Sequence, residues 1–326
     1  MSTLYIVDYS NWVYKFKYMF DLGILNDRGA RINTSVLHGF NQAIRSNRFS
    51  DIIIALDGYP SRSLSIYPQY KMNREHGKSD TLFVSKKEVF QFLTKIGDFY
   101  GKRVRVVASY GQEADQVIAS LVHMALGTKD SKDALFSSLA ALDDIHTDPY
   151  IGSCIEEVEP LSLGTYDSVV VGTTDSDMYQ LKSLGDVFFD SSWTGSKINY
   201  TDTTPKAVHG MPPSLIAIYK AFLGDTSDNI PAVVPSRRAT AVRDLIRRYL
   251  NTEESFLNFC MALRLGLQVP DELLSLRSWV LEVGGPEALR RNYSVVKLRF
   301  EGFPKQLVYP SYSVEETIKK YKLKVP

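Results

Sequence analysis

The feature of this sequence that most constrains its fold is an apolar strand that ends in two acidic residues. Residues 168–171, SVVV, have a strong preference for a strand, and the polar turn after them presents Asp175 and Asp177. An apolar segment at residues 178–181 comes next. The stretch therefore predicts a buried strand whose carboxyl end carries a pair of carboxylates.

Similar apolar runs that lead to acids occur three more times in the first two-thirds of the chain. The runs are residues 4–7, 52–56 and 104–107. The acids that follow them are Asp8, Asp57, Glu113 and Asp115. In an open parallel sheet, ligands bind outside the carboxyl ends of the strands, so these acids are expected to face one crevice.

A crevice lined by this many carboxylates needs compensating cations. Two unit charges ~4 Å apart repel by roughly 4 kcal/mol at an effective dielectric constant near 20. Each acid taken alone fits a turn or a helix N-cap equally well, but the repetition at successive strand ends favours a shared site. The pattern therefore predicts bound divalent metal.

Length and composition indicate an ordinary globular protein of two domains, or of one large domain with an appendage. The chain has 326 residues, of which 44% are hydrophobic and 23% charged. Cys154 and Cys260 lie far apart, which argues against a disulfide framework or a zinc site and suits a reducing cytosol. No apolar run is long enough for a membrane span and no targeting segment is visible, so a cytoplasmic location is expected.

Basic residues are concentrated outside the acidic crevice. The chain has 38 Lys and Arg against 37 Asp and Glu. If eight acids form one metal-neutralised cluster, the rest of the molecule is basic, as expected for a protein that binds a polyanion. The segment at residues 58–105, directly after Asp57, is rich in bases and suits contact with a phosphodiester, although a solvated helical face would have a similar composition.

The last third of the chain, from about residue 205, is predicted to be mainly helical. Its most informative stretch is AFLGDTSDNIP at residues 221–231, where Asp225 and Asp228 lie on a turn. Arginines follow at positions 237, 238, 243, 247 and 248, in a helix-turn-helix pattern that commonly contacts a phosphate backbone. Residues 127–166 are expected to form a loop-rich extension with a short helix near residues 135–142.

Six of these motifs, in this order, resemble those of the flap endonuclease and 5'-3' exonuclease family, and they are most similar to the phage-encoded members. The motifs are IVDYSN (6–11), ALDG (55–58), QYKMNR (69–74), EADQVIA (113–119), TDSD (174–177) and GDTSDNIP (224–231). The resemblance implies an α/β fold, with a central, mostly parallel sheet in a PIN-like nuclease domain. It also implies a nuclease domain at residues 1–204 with a helical arch at about 58–100, and a helical DNA-binding region with a helix-three-turn-helix at residues 205–326.

The same resemblance implies a magnesium-dependent structure-specific 5' nuclease with both exonuclease and flap endonuclease activity, acting in primer or flap removal during replication in a bacterial or phage-infected cell. Its metal ligands, for two Mg²⁺ that Mn²⁺ can replace, would be Asp8, Asp57, Glu113, Asp115, Asp175, Asp177, Asp225 and Asp228. Its catalytic bases would be Lys71 and Arg74. Its DNA contacts would be Lys15, Arg62, Tyr70, Arg237 and Arg238.

The expected partner is DNA with 5' ends or flaps, with RNA–DNA hybrids as a further substrate, and no membrane. Three alternatives stay open: a catalytically weak nucleic-acid-binding protein on the same fold, an RNase H-like activity on hybrids, and a metal-dependent phosphatase on a related α/β sheet, which would explain the acids but not the basic segments. The sequence departs from the family pattern at the turn of residues 232–237, which lacks the usual glycines, in the long extension at 127–166, and at Gln116, which stands where a third acid usually follows Asp115. We expect this last change to weaken the second metal site without removing it.

Overall fold

The structure is a computed structural model. It describes residues 2–21, 42–45, 48–74, 97, 100–101, 103–130, 145–151, 155, 157–192, 198–199 and 210–308. Residues 75–96 of the predicted arch and the short helix expected near 135–142 lie outside the described residues.

A mostly parallel sheet forms the centre of the molecule. The described residues contribute eight strands: β1 (Thr3–Asp8), β2 (Asp51–Ala55), β3 (Arg103–Ala108), β4 (Glu157–Pro160), β5 (Ser168–Gly172), β6 (Val187–Asp190), β7 (Ile198–Asn199) and β8 (Lys305–Val308). Their spatial order is β4-β8-β3-β2-β1-β5-β6-β7. The five strands from β3 to β6 in this order pair in parallel, and β4, β8 and β7 are antiparallel at the two sides. The α/β class and mostly parallel sheet predicted from the sequence are confirmed.

The central strands are mainly apolar because both faces of the sheet are covered, and the exceptions inside them include Arg103 and Arg105 of β3. In β1, Tyr5 and Val7 pack into one apolar cluster, whereas Leu4 and Ile6 pack into the cluster on the opposite face. All four residues are fully buried. Alternation within an entirely apolar strand therefore fixes the sheet between two hydrophobic layers.

Eight α-helices lie in the described part of the chain. They are α1 (Tyr9–Asp21), α2 (Ser61–Ile66), α3 (Ala114–Ala125), α4 (Ile216–Leu223), α5 (Ala239–Tyr249), α6 (Glu253–Leu265), α7 (Leu274–Val283) and α8 (Gly285–Val296). Helix α3 buries Val117, Ile118, Leu121 and Val122 against one face of the sheet. The sequence predicted this helix, and the structure begins it at Ala114 with Glu113 as its N-cap.

The helices from α4 to α8 pack around a third apolar cluster. Tyr67 and Tyr70 also belong to this cluster, so the segment after α2 packs against the helical region. Strand β8 shows that the last third is not wholly helical, because it returns to the sheet between β3 and β4. The predicted division between residues 204 and 205 stays a prediction. Among the described helices, none combines the length and apolar character needed to span a bilayer.

Candidate active site

Acids predicted at the strand ends lie along one edge of the sheet. Asp8 is the last residue of β1, Asp57 follows β2 and Asp175 follows β5. Strand β1 pairs in parallel with both β2 and β5. Three neighbouring strands therefore direct their carboxyl ends, and the acids that follow them, to the same side of the sheet.

Hydrogen bonds hold two of these carboxylates in place. Asp8 is 6% exposed, and its side chain accepts bonds from the backbone amide of Asn11 at 3.0 Å and the hydroxyl of Thr173 at 3.2 Å. Asp57 accepts the backbone amide of Ala114 at 2.8 Å. Since Ala114 is the first residue of α3, this bond fixes the beginning of the helix beside β2.

The beginning of α3 carries two further acids into the same region. Glu113 is the N-cap residue and Asp115 lies in the first turn, where the positive end of the helix dipole favours negative charge. An oxygen of Asp115 accepts the backbone amide of Gln116 at 2.7 Å. The end of β2 and the beginning of α3 thus place three of the predicted ligands, Asp57, Glu113 and Asp115, in the same region.

Burial and mutual repulsion raise the pKa values of two of these carboxyls, Asp8 and Asp115. Burial and the neighbouring charge of Asp57 raise the pKa of Asp8 to about 8, and Asp175 acts in the same direction. Burial and the charges of Glu113, Asp175 and Asp57 raise the pKa of Asp115 well above its usual value. The ionised acids are therefore electrostatically unfavourable in the absence of a cation.

The donor chemistry fits a divalent ion, since every candidate ligand supplies carboxylate oxygen and the raised pKa values of Asp8 and Asp115 indicate uncompensated negative charge at those two acids. Within the ranges that the structure describes, no three His, Cys, Asp or Glu side chains lie close enough together to hold a metal ion. The assignment of the eight acids as ligands stays a prediction.

A basic turn after α2 faces the acids at the beginning of α3. Lys71 forms an ion pair with Glu113, and its ammonium also lies 3.8 Å from Asp228. Arg74 pairs with Asp228 at 2.6 Å. Burial lowers the pKa of Lys71, but the charges of Glu113 and Asp228 outweigh this effect and raise it, so Lys71 is a cation at neutral pH.

The backbone of Lys71 is held in an unusual conformation. Its φ of 54° lies in the left-handed region, which non-glycine residues rarely adopt. Its amide donates to the carbonyl of Asp228 at 2.9 Å. This bond connects the turn to the loop formed by the GDTSDNIP motif at residues 224–231, which we call the DNIP loop. Such a conformation persists where surrounding contacts enforce it, and it is frequent at functional sites.

Tyr70 is placed differently from its predicted role as a DNA contact. Only 5% of the residue is exposed, and its hydroxyl donates to Glu113 at 2.8 Å and to Asp228 at 3.3 Å. In this structure its hydroxyl contacts the two carboxylates, and its role as a DNA contact stays a prediction.

The remaining acids surround a lysine that the sequence analysis missed. Lys220, in the last turn of α4, forms an ion pair with Asp177, and its ammonium donates to a second carboxylate, that of Asp225, at 2.6 Å. Asp175 caps the 3₁₀ helix Ser176–Leu184, and one of its oxygens accepts the amide of Asp177 at 2.9 Å. The sequence places Lys220 five positions before Asp225, but this spacing does not by itself indicate the contact with Asp177.

The loop that carries Asp225 and Asp228 is closed by backbone contacts and by one buried side chain. At Gly224, φ is +70°, and a Cβ there would lie 2.6 Å from the amide nitrogen of Ala232. The side-chain amide of Asn292, in α8, donates to the carbonyls of Ala221 at 3.1 Å and Pro231 at 2.7 Å. Asn292 therefore fixes both ends of the loop.

The other predicted DNA contacts are spread over the surface. Lys15 donates to the carbonyl of Ser191 at 3.2 Å, and Arg62 pairs with Glu301 at 2.5 Å. Arg237 and Arg238 are both exposed, just before α5. The guanidinium of Arg238 lies 5.0 Å from the centre of the Trp279 ring. The structure does not bring these residues together with the acids.

No family model matches the chain. Among solved structures, the chain is similar to the bacteriophage T5 D15 protein co-crystallised with metal ions, with a TM-score of 0.52 at 18% identity over 91% of this chain and 89% of that one. The fold is that of the T5 D15 protein. The D15 flap endonuclease in a pseudo-enzyme-product complex with DNA and metal ions gives a TM-score of 0.51 at 18% identity, with the same coverage of both chains. The resemblance predicted from the motifs is thus confirmed at the level of the fold.

Proposed function

We propose that this chain is a divalent-metal-dependent, structure-specific 5' nuclease that hydrolyses phosphodiesters in DNA. The observation that carries the proposal is the set of acids at the carboxyl ends of β1, β2 and β5 and at the beginning of α3, beside the buried cation Lys71. The T5 D15 fold supports it, because that protein is described as a flap endonuclease and 5'-exonuclease with DNA and metal ions.

Divalent ions, expected to be Mg²⁺ with Mn²⁺ as a substitute, would neutralise charge at the phosphate and acidify the attacking water. Asp8, Asp57, Asp115 and Asp175 would hold them through carboxylate oxygens. The raised pKa values of Asp8 and Asp115 support this role, because a cation relieves the same repulsion that raises them.

Lys71 would stabilise the negative charge that develops on the phosphoryl oxygens. Its ammonium is within reach of the acids, and the left-handed backbone holds it in position before DNA arrives. Arg74, which pairs with Asp228, would keep this turn attached to the DNIP loop. Both assignments remain proposals.

The substrate would be DNA with a 5' end or flap, held by the basic surfaces outside the crevice. Arg237 and Arg238 are exposed and have no carboxylate partner among the contacts in the described residues, so they are suited to the phosphate backbone. Lys15 and Arg62 are proposed as further contacts. Primer or flap removal in the cytoplasm during replication would be the corresponding biological role, and RNA–DNA hybrids a further substrate.

The test is cleavage of DNA that carries a labelled 5' flap, with and without a chelator. We expect products in Mg²⁺ and none in excess EDTA. The lengths of the products would distinguish exonuclease from flap endonuclease activity. Binding of flap DNA without cleavage in Mg²⁺ or Mn²⁺ would favour a binding protein on the same fold. Cleavage restricted to hybrids would favour the RNase H-like alternative.

A further inference from the structure

Lys220 occupies the space between two of the acids proposed to bind metal. Its ammonium contacts an oxygen of Asp177 and lies 2.6 Å from an oxygen of Asp225. All three side chains are largely buried, with 19%, 16% and 12% exposure for Lys220, Asp177 and Asp225. This is a bridging arrangement, with one cation shared by two carboxylates that would otherwise repel each other.

The second oxygen of Asp225 is also engaged. It accepts the backbone amide of Ser227 at 2.9 Å and the hydroxyl of the same residue at 2.6 Å. A magnesium ion needs carboxylate oxygens at about 2.0–2.1 Å and near-octahedral geometry. An ion at this position would have to displace Lys220 or share its ligands with it.

The third acid of this group is neutralised as well. Asp228 pairs with Arg74 at 2.6 Å and lies 3.8 Å from the ammonium of Lys71. By contrast, Asp8 and Asp57 are held by backbone amides and a hydroxyl in the contacts described, and these groups carry no full charge. Glu113, Asp177, Asp225 and Asp228 thus each pair with a cationic side chain, whereas Asp8 and Asp57 have none among the described contacts.

We propose that the ammonium of Lys220 takes the place of a second divalent ion between Asp177 and Asp225, so that this chain binds one divalent ion tightly. The inference rests on the proposed metal-dependent function. The neutral Gln116 also weakens binding of a second ion, since the beginning of α3 has one negative charge fewer than it would have with an acid at this position. The tight site is the one formed by the strand-end acids around Asp8 and Asp57.

Isothermal titration of the whole protein with Mn²⁺, in the absence of DNA, tests this inference without measuring activity. We expect one tight site in the native protein, with any second site at least about tenfold weaker. In Lys220→Met, which keeps the length of the side chain but removes its charge, two sites should lie within about tenfold of each other. Thermal unfolding in parallel would verify that each variant is folded.

Lys297→Met is the matched control. Lys297 also pairs with a carboxylate, that of Glu253 at 3.2 Å, and it lies just after α8, outside the acidic crevice. Its loss should leave the native titration unchanged. In a second test, Asp225→Asn should preserve the tight site, whereas Asp8→Asn should remove it.

The possible outcomes separate this inference from the proposed function. Two sites of equal affinity in the native protein, or a single site retained in folded Lys220→Met, would overturn the role of Lys220 and leave metal dependence standing. Loss of the tight site in Asp225→Asn would also overturn it. A native protein that binds no Mn²⁺ would overturn both the inference and the metal-dependent function. If Lys220→Met does not fold, the native and Asp225→Asn titrations still decide the question.

Discussion

Asp175 combines a structural and a proposed chemical role in one side chain. One oxygen accepts the amide of Asp177 at 2.9 Å, and its own amide donates to the hydroxyl of Thr173 at 3.0 Å. Thr173 in turn donates to Asp8, so a continuous set of hydrogen bonds joins the ends of β1 and β5. A change at Asp175 that preserves shape therefore isolates the effect of its charge.

We expect Asp175→Asn to lower the turnover of flap DNA by more than about 100-fold, because an amide is a far weaker ligand for a hard cation. Affinity for duplex DNA, measured in Ca²⁺ by fluorescence anisotropy, should stay within about threefold of the native value, since the basic surfaces are unchanged. The control is Asp186→Asn, an exposed acid at the beginning of β6. Near-native turnover in Asp175→Asn would contradict the assignment of this acid.

Among individual residues, the sequence identified acids more readily than their partners. Asp8 and Asp175 could be predicted because each follows an apolar strand directly, which is a local pattern. Lys220 could not, since its contact with Asp177 depends on how α4 packs beside the 3₁₀ helix of a distant segment. The burial of Tyr70 in the helical core is likewise a consequence of tertiary packing.

At the level of secondary-structure elements, the basic turn after α2 and the arginines before α5 are proposed to serve different purposes. Lys71 lies against Glu113, whereas Arg237 and Arg238 are exposed. We expect Lys71→Ala to reduce turnover by about 100-fold with little change in affinity. The double change Arg237→Ala, Arg238→Ala should weaken binding and lower the slope of log affinity against log salt by about 2.

Turnover in single-turnover experiments and affinity at several salt concentrations would measure the two effects. The control is Lys129→Ala, which removes an exposed base after α3. Equal changes in binding and turnover for both variants would contradict the proposal that the turn after α2 acts in catalysis and the arginines before α5 act in binding.

Helix α8 positions the DNIP loop through Asn292, which is 1% exposed. Asn292→Ala would remove the donor from the carbonyls of Ala221 and Pro231, at a cost of about 1–3 kcal/mol for a polar group left buried and unpaired. We therefore expect a clear decrease in the free energy of unfolding by urea, together with weaker cleavage, because Asp225 and Asp228 lie in that loop. Asn258→Ala, at an exposed position of α6, should change neither quantity. An unchanged stability in Asn292→Ala would mean that its two bonds contribute little.

Elements with strong internal patterns were predictable, and short edge strands were not. The central residues of β1, β2 and β5 are apolar because these strands lie inside a covered parallel sheet, and β3 follows the same pattern apart from Arg103 and Arg105. Strand β4, with the sequence EVEP, is largely exposed, and the prediction for its region was a loop-rich extension. Its pairing with β8 joins segments far apart in the sequence, which no local pattern specifies.

At the scale of the whole molecule, the acidic crevice makes stability depend on pH and on cations. Burial and repulsion from Asp57 raise the pKa of Asp8 from 3.8 to about 8 in the folded protein. Burial and the charge of Asp175 raise the pKa of Asp177 to about 6, even though Lys220 opposes the change. The folded state therefore retains protons that the unfolded chain has already released.

A carboxyl with a raised pKa in the folded state contributes less to stability as pH rises from its unfolded value to its folded one. Without divalent metal, the free energy of unfolding should thus fall between pH 6 and pH 8, by up to about 1.4 kcal/mol per pH unit from Asp8. Asp177 adds the same trend below pH 6. Thermal unfolding in EDTA at pH 6, 7 and 8 measures this dependence, and Asp8→Asn should flatten it because the amide does not titrate.

Added Mg²⁺ should reverse the trend, because the ion binds the ionised carboxylates of the folded protein and its affinity increases as they lose protons. The midpoint of unfolding in Mg²⁺ should therefore exceed that in EDTA by more at pH 8 than at pH 6. The increase should be absent in Asp8→Asn if this acid forms the tight site. A pH dependence in EDTA that is the same for the native protein and Asp8→Asn would show that the crevice acids do not share the repulsion on which the proposed metal site rests.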